Sequence, residues 1–261
     1  MKRAAQRGGY DIRGFFDAEA SRYVRERYLA ETCDQLAYQS RRRLALDLLG
    51  AGPGRILDIG AGPGILTADL RARAFDVYCL DVSLEMLREC RRTTGVEAGE
   101  PQLIEGRLPD LPFRSGTFDA AACIGVLAYL DDPAEGLREI RRVLRHDGVA
   151  VVQVSNSLCA AARLHSRLRR WYRLAGQLLG GKAYPHLGIP LKHFRLGAFR
   201  RSLESVSLRP EAVALYDFRP PLLQWVMPRT TLAAARWLQR FEYSKVPSFL
   251  AEGALIKVRA C

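Results

Sequence analysis

Gly60, Gly62 and Gly64 fall within five residues, directly after the short apolar run Arg55-Ile56-Leu57-Asp58-Ile59 and directly before the apolar-periodic segment Ile65 to Arg73. Such a run reads as a buried parallel strand, and glycine lets the backbone leave it sharply and pass close to a ligand before a helix begins. The chain then repeats the alternation. Asp76 to Leu80 is a second strand, and Ser83 to Arg92 a helix with Ser83 as N-cap and Glu85 in its first turn. Gln102 to Glu105 and Phe118 to Ile124 are further strands, Pro133 to Leu144 a helix and Val149 to Val154 a fifth strand. The pattern predicts an α/β fold with a doubly wound, Rossmann-like sheet.

Two helices are predicted within residues 12–50, broken near the thirties, with Gly50-Ala51-Gly52-Pro53-Gly54 ending the second. After the core, residues 158–192 read as an Arg-rich helix and an irregular loop, 196–206 as a helix, and 211–218 and 253–259 as strands that complete the sheet. The stretch Arg219 to Ala251 is too long for a hairpin turn and reads as an insertion with a helix of its own. Three regions follow: an N-terminal helical lid (1–50), a cofactor-binding core (51–157), and basic cap insertions with the completing strands (158–261).

The net charge of +12 is unevenly placed. Residues 1–157 hold 22 Lys and Arg against 23 Asp and Glu, whereas residues 158–261 hold 18 against 5. An electropositive half suits an anionic substrate, a membrane surface or nucleic acid. The six cysteines are scattered with no C-x-x-C pair, which argues against a disulfide framework or a structural zinc site. No uncharged apolar stretch approaches the ~20 residues of a spanning helix, and the reading is a cytoplasmic protein, peripheral to the membrane at most.

The glycine loop and Asp81, 21 residues beyond Gly60, describe a site for an adenosine-containing cofactor, because an acid ending the second strand can accept from both hydroxyls of a ribose. A dinucleotide fingerprint would place its third glycine at position 65, where this chain has Ile65. Asp58 at the strand–loop junction suits a cationic amino-acid tail and would sit badly beside a pyrophosphate. Charge therefore favours S-adenosylmethionine.

The stretch from Arg55 to Asn156 resembles class I S-adenosylmethionine-dependent methyltransferases. The resemblance rests on Leu57 to Gly64, Leu80-Asp81-Val82-Ser83, Leu111-Pro112-Phe113 followed by Thr117-Phe118-Asp119, and Arg138 to Leu144 leading to Asp147-Gly148. It implies that Gly60, Ala61 and Gly62 line the methionine end, that Asp81 binds the ribose, and that Val82 and Met86 flank the adenine. Cys123 and Ile124 would lie beside the methionine portion. Where many relatives carry an Asp after a Gly for the adenine amino group, this chain has Arg107 after Gly106, so that contact passes to a carbonyl near Leu108 or to another side chain. Relatives often carry Glu-His after the fourth strand; here Val126-Leu127-Ala128-Tyr129 supplies no such base.

His193 and His186 are the candidate general bases, since their segment should cover the carboxyl ends of the strands, and Tyr129 and Tyr184 are candidates for the acceptor pocket. No metal-ligand cluster is visible. The aromatic-rich first helix should fold over the cofactor, and the tryptophans and arginines of residues 219–241 suit an apolar acceptor or a membrane interface. These readings combine into a methyltransferase acting on a small-molecule or lipid-linked acceptor, on oxygen by preference. The alternatives are an RNA methyltransferase using the basic C-terminal region, or a non-catalytic S-adenosylmethionine-binding protein.

Overall fold

Strands with apolar centres line up side by side, the crossovers after the first, second and fourth of the parallel set carrying a helix that returns across the sheet. In a computed structural model of the chain, which describes residues 6–7, 10–29, 32–95, 102–160, 163–164, 191–218, 228–243 and 247–261, they are β3 (Arg55–Ile59), β4 (Asp76–Asp81), β5 (Gln102–Glu105), β6 (Phe118–Cys123) and β7 (Leu144–Ser155). With β8 (Leu208–Tyr216) and β9 (Gly253–Ala260) they form a seven-stranded sheet of order β5-β4-β3-β6-β7-β9-β8. Strands β3 to β7 pair in parallel, and β9 runs antiparallel between β7 and β8. The sheet is therefore mixed, with a parallel core and an antiparallel edge. A two-stranded ribbon, β1 (Gln6–Arg7) and β2 (Tyr10–Asp11), precedes it and had no sequence signal.

The helices are α1 (Ile12–Tyr28), α2 (Cys33–Leu49), α3 (Ile65–Ala72), α4 (Leu84–Thr94), α5 (Pro133–Val143), α6 (Leu196–Glu204) and α7 (Pro228–Leu238) among the described residues. The break between α1 and α2 is set by a capping box: Thr32 Oγ1 accepts from the Gln35 amide, and the Gln35 side chain accepts from the Thr32 amide. Ser83 caps α4 by accepting from Met86 N at 3.0 Å, as its position predicts. Strand β7 begins five residues earlier than the apolar run, because Leu144 pairs with Phe118 before a register shift and a left-handed Asp147 at φ 62°.

Two cores sandwich the sheet. On one face Leu44, Leu48, Leu70, Val77 and Cys90 pack α2, α3 and α4 against it. On the other, Leu137, Ile140, Phe199 and Leu203 pack α5 and α6, around a fully buried Phe118 whose ring meets Phe113 and Tyr78 edge-on at 4.9 and 5.2 Å. Removing such a ring costs about 3–5 kcal/mol. Strand β3 lies between β4 and β6, so the loops leaving β3 and β6 diverge and open a crevice at the carboxyl end of the sheet, where ligands bind in folds of this kind.

Candidate active site

The crevice holds a cavity of about 760 Å³, within the range of small-molecule sites. Its floor is the glycine loop. Gly60 and Ala61 donate backbone N–H groups to the Leu80 carbonyl at 2.7 and 3.1 Å, lashing the end of β3 to the end of β4. Gly60 has φ 72°, and a Cβ there would stand 2.3 Å from Val126 Cγ2. Gly62 has φ 54°, but a Cβ there would meet no protein atom within 4 Å. Both line the cavity; the first glycine also makes room for Val126, while the second leaves its backbone open to a ligand.

Two buried carboxylates face this loop. Asp81 Oδ2 accepts from Gly62 N and Oδ1 from Ser83 N, each at 2.9 Å. The Val82 backbone N–H adds a third donor, and since a carboxylate can accept about four hydrogen bonds, some capacity remains for the cavity it lines. Burial pushes its pKa up to about 6 against the pull of those backbone donors. Asp58 Oδ2 accepts from Thr67 Oγ1 at 2.8 Å, and burial, opposed by that hydroxyl and reinforced by the charge of Asp81, pushes its pKa up to about 7. Both acids sit near neutrality, ready to ionise when donors or a cation arrive.

Helix α1 forms a cover. Its Asp17 accepts from Ser83 Oγ at 2.6 Å and from Glu85 N at 3.4 Å, and its Arg13 pairs with Glu105 at 2.8 Å, fastening the helix to β5 and to the start of α4. Phe16 meets Tyr129 edge-on at 5.6 Å. Another part of the wall is aromatic and basic: Tyr23, Tyr28, Tyr38 and Arg41 line it, with the Arg41 guanidinium 4.0 Å from the Tyr38 ring centre. Burial opposes the charge of Arg41, yet the surrounding phenol oxygens outweigh it and hold the group above its ordinary pKa.

Asp58, Gly60, Ala61, Gly62, Asp81, Val82, Met86, Arg107, Leu108 and Tyr129 all line this one cavity. Arg107 is held by Asp110 at 3.2 Å. Cys123 requires a correction: its side chain is fully buried in the core with Leu57 and Leu127, while Ile124 reaches the cavity, because successive strand residues point to opposite faces. His193 requires another: it is exposed, its Nδ1 lies 3.2 Å from the Leu191 carbonyl, and it is not among the described residues that line the cavity. His186 and Tyr184 lie outside the described residues. Sequence reasoning carried Tyr23 and Tyr28 only as part of a helix expected to fold over the cofactor, and it missed Tyr38 and Arg41, whose one signal was their i, i+3 spacing on a well-capped helix. Among the described residues no group of His, Cys, Asp or Glu could hold a metal ion, and no helix is long and apolar enough to cross a membrane.

Comparison with known proteins gives a consistent result. Residues 57–152 match the family model described as "Methyltransferase domain". The chain is 37% identical over 147 residues to a demethylmenaquinone methyltransferase of Beutenbergia cavernae, covering 55% of this chain and 57% of the relative. It is 36% identical over 148 residues to a malonyl-[acyl-carrier protein] O-methyltransferase of Laribacter hongkongensis, covering 53% and 48%. The chain thus spans about half the length of these curated relatives. Among solved structures, magnesium protoporphyrin IX methyltransferase of Synechocystis with bound S-adenosylhomocysteine superposes with a TM-score of 0.65 at 11% identity, over 96% of this chain and 98% of the other, a likeness of fold.

Proposed function

We propose that this chain, whose residues 57–152 belong to the class I S-adenosylmethionine-dependent methyltransferases, transfers a methyl group from that cofactor to a small-molecule acceptor. One observation carries the reading: Gly62 opens its backbone to the cavity while donating to Asp81, whose remaining acceptor capacity faces the same space. A ribose diol fits that carboxylate, and an amino-acid tail with a positive charge fits the neighbourhood of Asp58. Bound there, S-adenosylmethionine supplies a methyl group on a cationic sulfur.

The chain's own residues bind, orient and exclude water. Asp58 and Thr67 hold negative charge and a hydroxyl at the end of β3, Asp81 fixes the sugar, and α1, fastened by Asp17 and Arg13, covers the space. Holding nucleophile and methyl carbon in line supplies much of the rate in such a displacement. Burial holds the Tyr129 phenol well above its ordinary pKa, so it serves as a hydrogen-bond donor and not as a base. For the acceptor atom we favour an oxygen, and we assign the taking of its proton to the carboxylates that line the cavity, Asp131, Asp132 and Glu135 among them. A lipid-linked acceptor finds support in the exposed Trp237, Phe249 and Leu250 of the segment between β8 and β9.

The test gives purified protein methyl-labelled S-adenosylmethionine and a cell lysate, then separates organic extract, aqueous small molecules, protein and RNA, with Asp81→Ala as control. Label in either small-molecule pool supports the reading, and the organic pool selects a lipid-linked acceptor. Label in RNA overturns the small-molecule assignment. Cofactor binding with no label in any pool replaces the enzyme with a binder.

A further inference from the structure

Four arginines reach the aromatic cavity or the rings behind it, and they divide by partner. Arg42 is held by Asp69 and Arg107 by Asp110. Arg41 lines the cavity and Arg27 stands behind it, 5.9 Å from the Tyr23 ring centre and 5.7 Å from that of Tyr38. Neither has a carboxylate partner among the described residues, and the buried Nε of Arg27 has no hydrogen-bond partner at all. Two half-buried guanidiniums thus share Tyr38, each set against ring faces and not against a carboxylate. An anion in the cavity would give Arg41 the partner that Asp69 gives Arg42.

Arg41 is also held in place. The Gly125 amide donates to Gln153 Oε1 at 2.9 Å, Gln153 Nε2 donates to the Tyr216 hydroxyl at 2.7 Å, and that hydroxyl lies within reach of the Arg41 guanidinium. The rail starts beside Val126, which packs over Gly60, so it ties the position of Arg41 to the glycine loop. Resting on the methyltransferase reading above, we infer that Arg41 is a specificity-determining residue that pairs with an anionic oxygen on a flat aromatic acceptor, whose rings are received by Phe16, Tyr23, Tyr38 and Tyr129. A planar guanidinium suits the two oxygens of a carboxylate, or two of a phosphate.

The experiment uses the full chain loaded with S-adenosylhomocysteine and measures, by calorimetry, binding of four probes: 2-naphthoate, 2-naphthyl phosphate, neutral 2-acetonaphthone and cationic 2-naphthylmethylamine. Wild-type protein should prefer at least one anion to 2-acetonaphthone by tenfold or more and exclude the amine; which anion wins distinguishes carboxylate from phosphate. Arg41→Met should abolish that preference while leaving S-adenosylhomocysteine affinity within twofold, and Arg41→Lys should keep part of it. Equal binding of neutral and anionic probes by wild type, or no binding of either anion, overturns the inference even if Arg41→Met fails to fold. Failure of S-adenosylhomocysteine itself to bind would instead overturn the methyltransferase reading.

Discussion

The two parts of the cavity are built by different means. Around the glycine loop the chemistry is backbone: amides of Gly60, Ala61, Gly62 and Ser83 set the shape, and two acids are held by them or beside them. Around Tyr38 the chemistry is side chain: rings and guanidiniums from α1, α2 and the turn at Tyr129 converge from distant parts of the sequence. Backbone geometry demands particular residue types at fixed spacing, whereas a wall of side chains can be assembled from many combinations. The first part falls within the stretch that matches a family model, and the second draws mostly on α1 and α2, which lie outside it.

Substitutions should separate the two. The largest effect is expected for Asp81→Ala, which removes the acceptor we propose for both ribose hydroxyls; two charge-assisted hydrogen bonds amount to roughly 4 kcal/mol, or about a thousandfold in S-adenosylhomocysteine affinity by calorimetry. The anion preference at Arg41 should survive in that variant. If it is lost too, the two parts are one unit and the comparison fails.

Asp58→Asn should act with opposite signs on stability and binding. Asp58 has its pKa raised from 3.8 to about 7, so the protein without cofactor loses stability as pH rises between those values, the unfolded chain having already released that proton. The variant should match wild type near pH 4 and exceed it by about 3 kcal/mol at pH 8 in denaturant titrations, the gap of roughly three units setting a ceiling of ~4 kcal/mol. Wild-type affinity for S-adenosylmethionine should rise from pH 6 to 8, above the pH near 6 at which Asp81 ionises, and the variant should show no such rise. A variant that is both less stable and pH-dependent would remove Asp58 from the charge argument.

Gly60→Ala places a methyl group against Val126 in a left-handed backbone and should cost ~2 kcal/mol, a fall of about 5 °C in Tm. Gly62→Ala carries the backbone cost without the clash, so it should lose less Tm and proportionally more cofactor affinity. The smallest effect is expected for Asp17→Ala, ~1 kcal/mol, read as faster trypsin cleavage within α1 that S-adenosylhomocysteine slows. Unchanged cleavage would show that α1 is held by its aromatic side alone.

The same division explains what the sequence made legible. Strand–helix alternation, the cap at Ser83, and the acids at 58 and 81 are local signals, readable within a few residues, whereas the capping box at Thr32 went unread. Cys123 was misplaced because family position does not settle which face of a strand a side chain takes. His193 was misplaced because histidine is a chemically attractive residue whose location depends on a long connection. Arg41 was passed over because nothing local marks which of three consecutive arginines turns inward, and helical periodicity sends them in three directions: one to the cavity, one to Asp69 and one to Glu242.

That last contact has a further consequence. The segment between β8 and β9 grips α2 from outside, Gln239 donating to Ser40 Oγ at 2.7 Å and Glu242 pairing with Arg43, within a helical turn of Tyr38 and Arg41. Helix α2 is thus a partition with the cavity on one side and this segment on the other. An exchange of residues 228–243 for another sequence would press on the far side of that partition and shift the rings that line the cavity, leaving the glycine loop and the two carboxylates in place. The shape of the cavity can thus be retuned from a segment that never touches it.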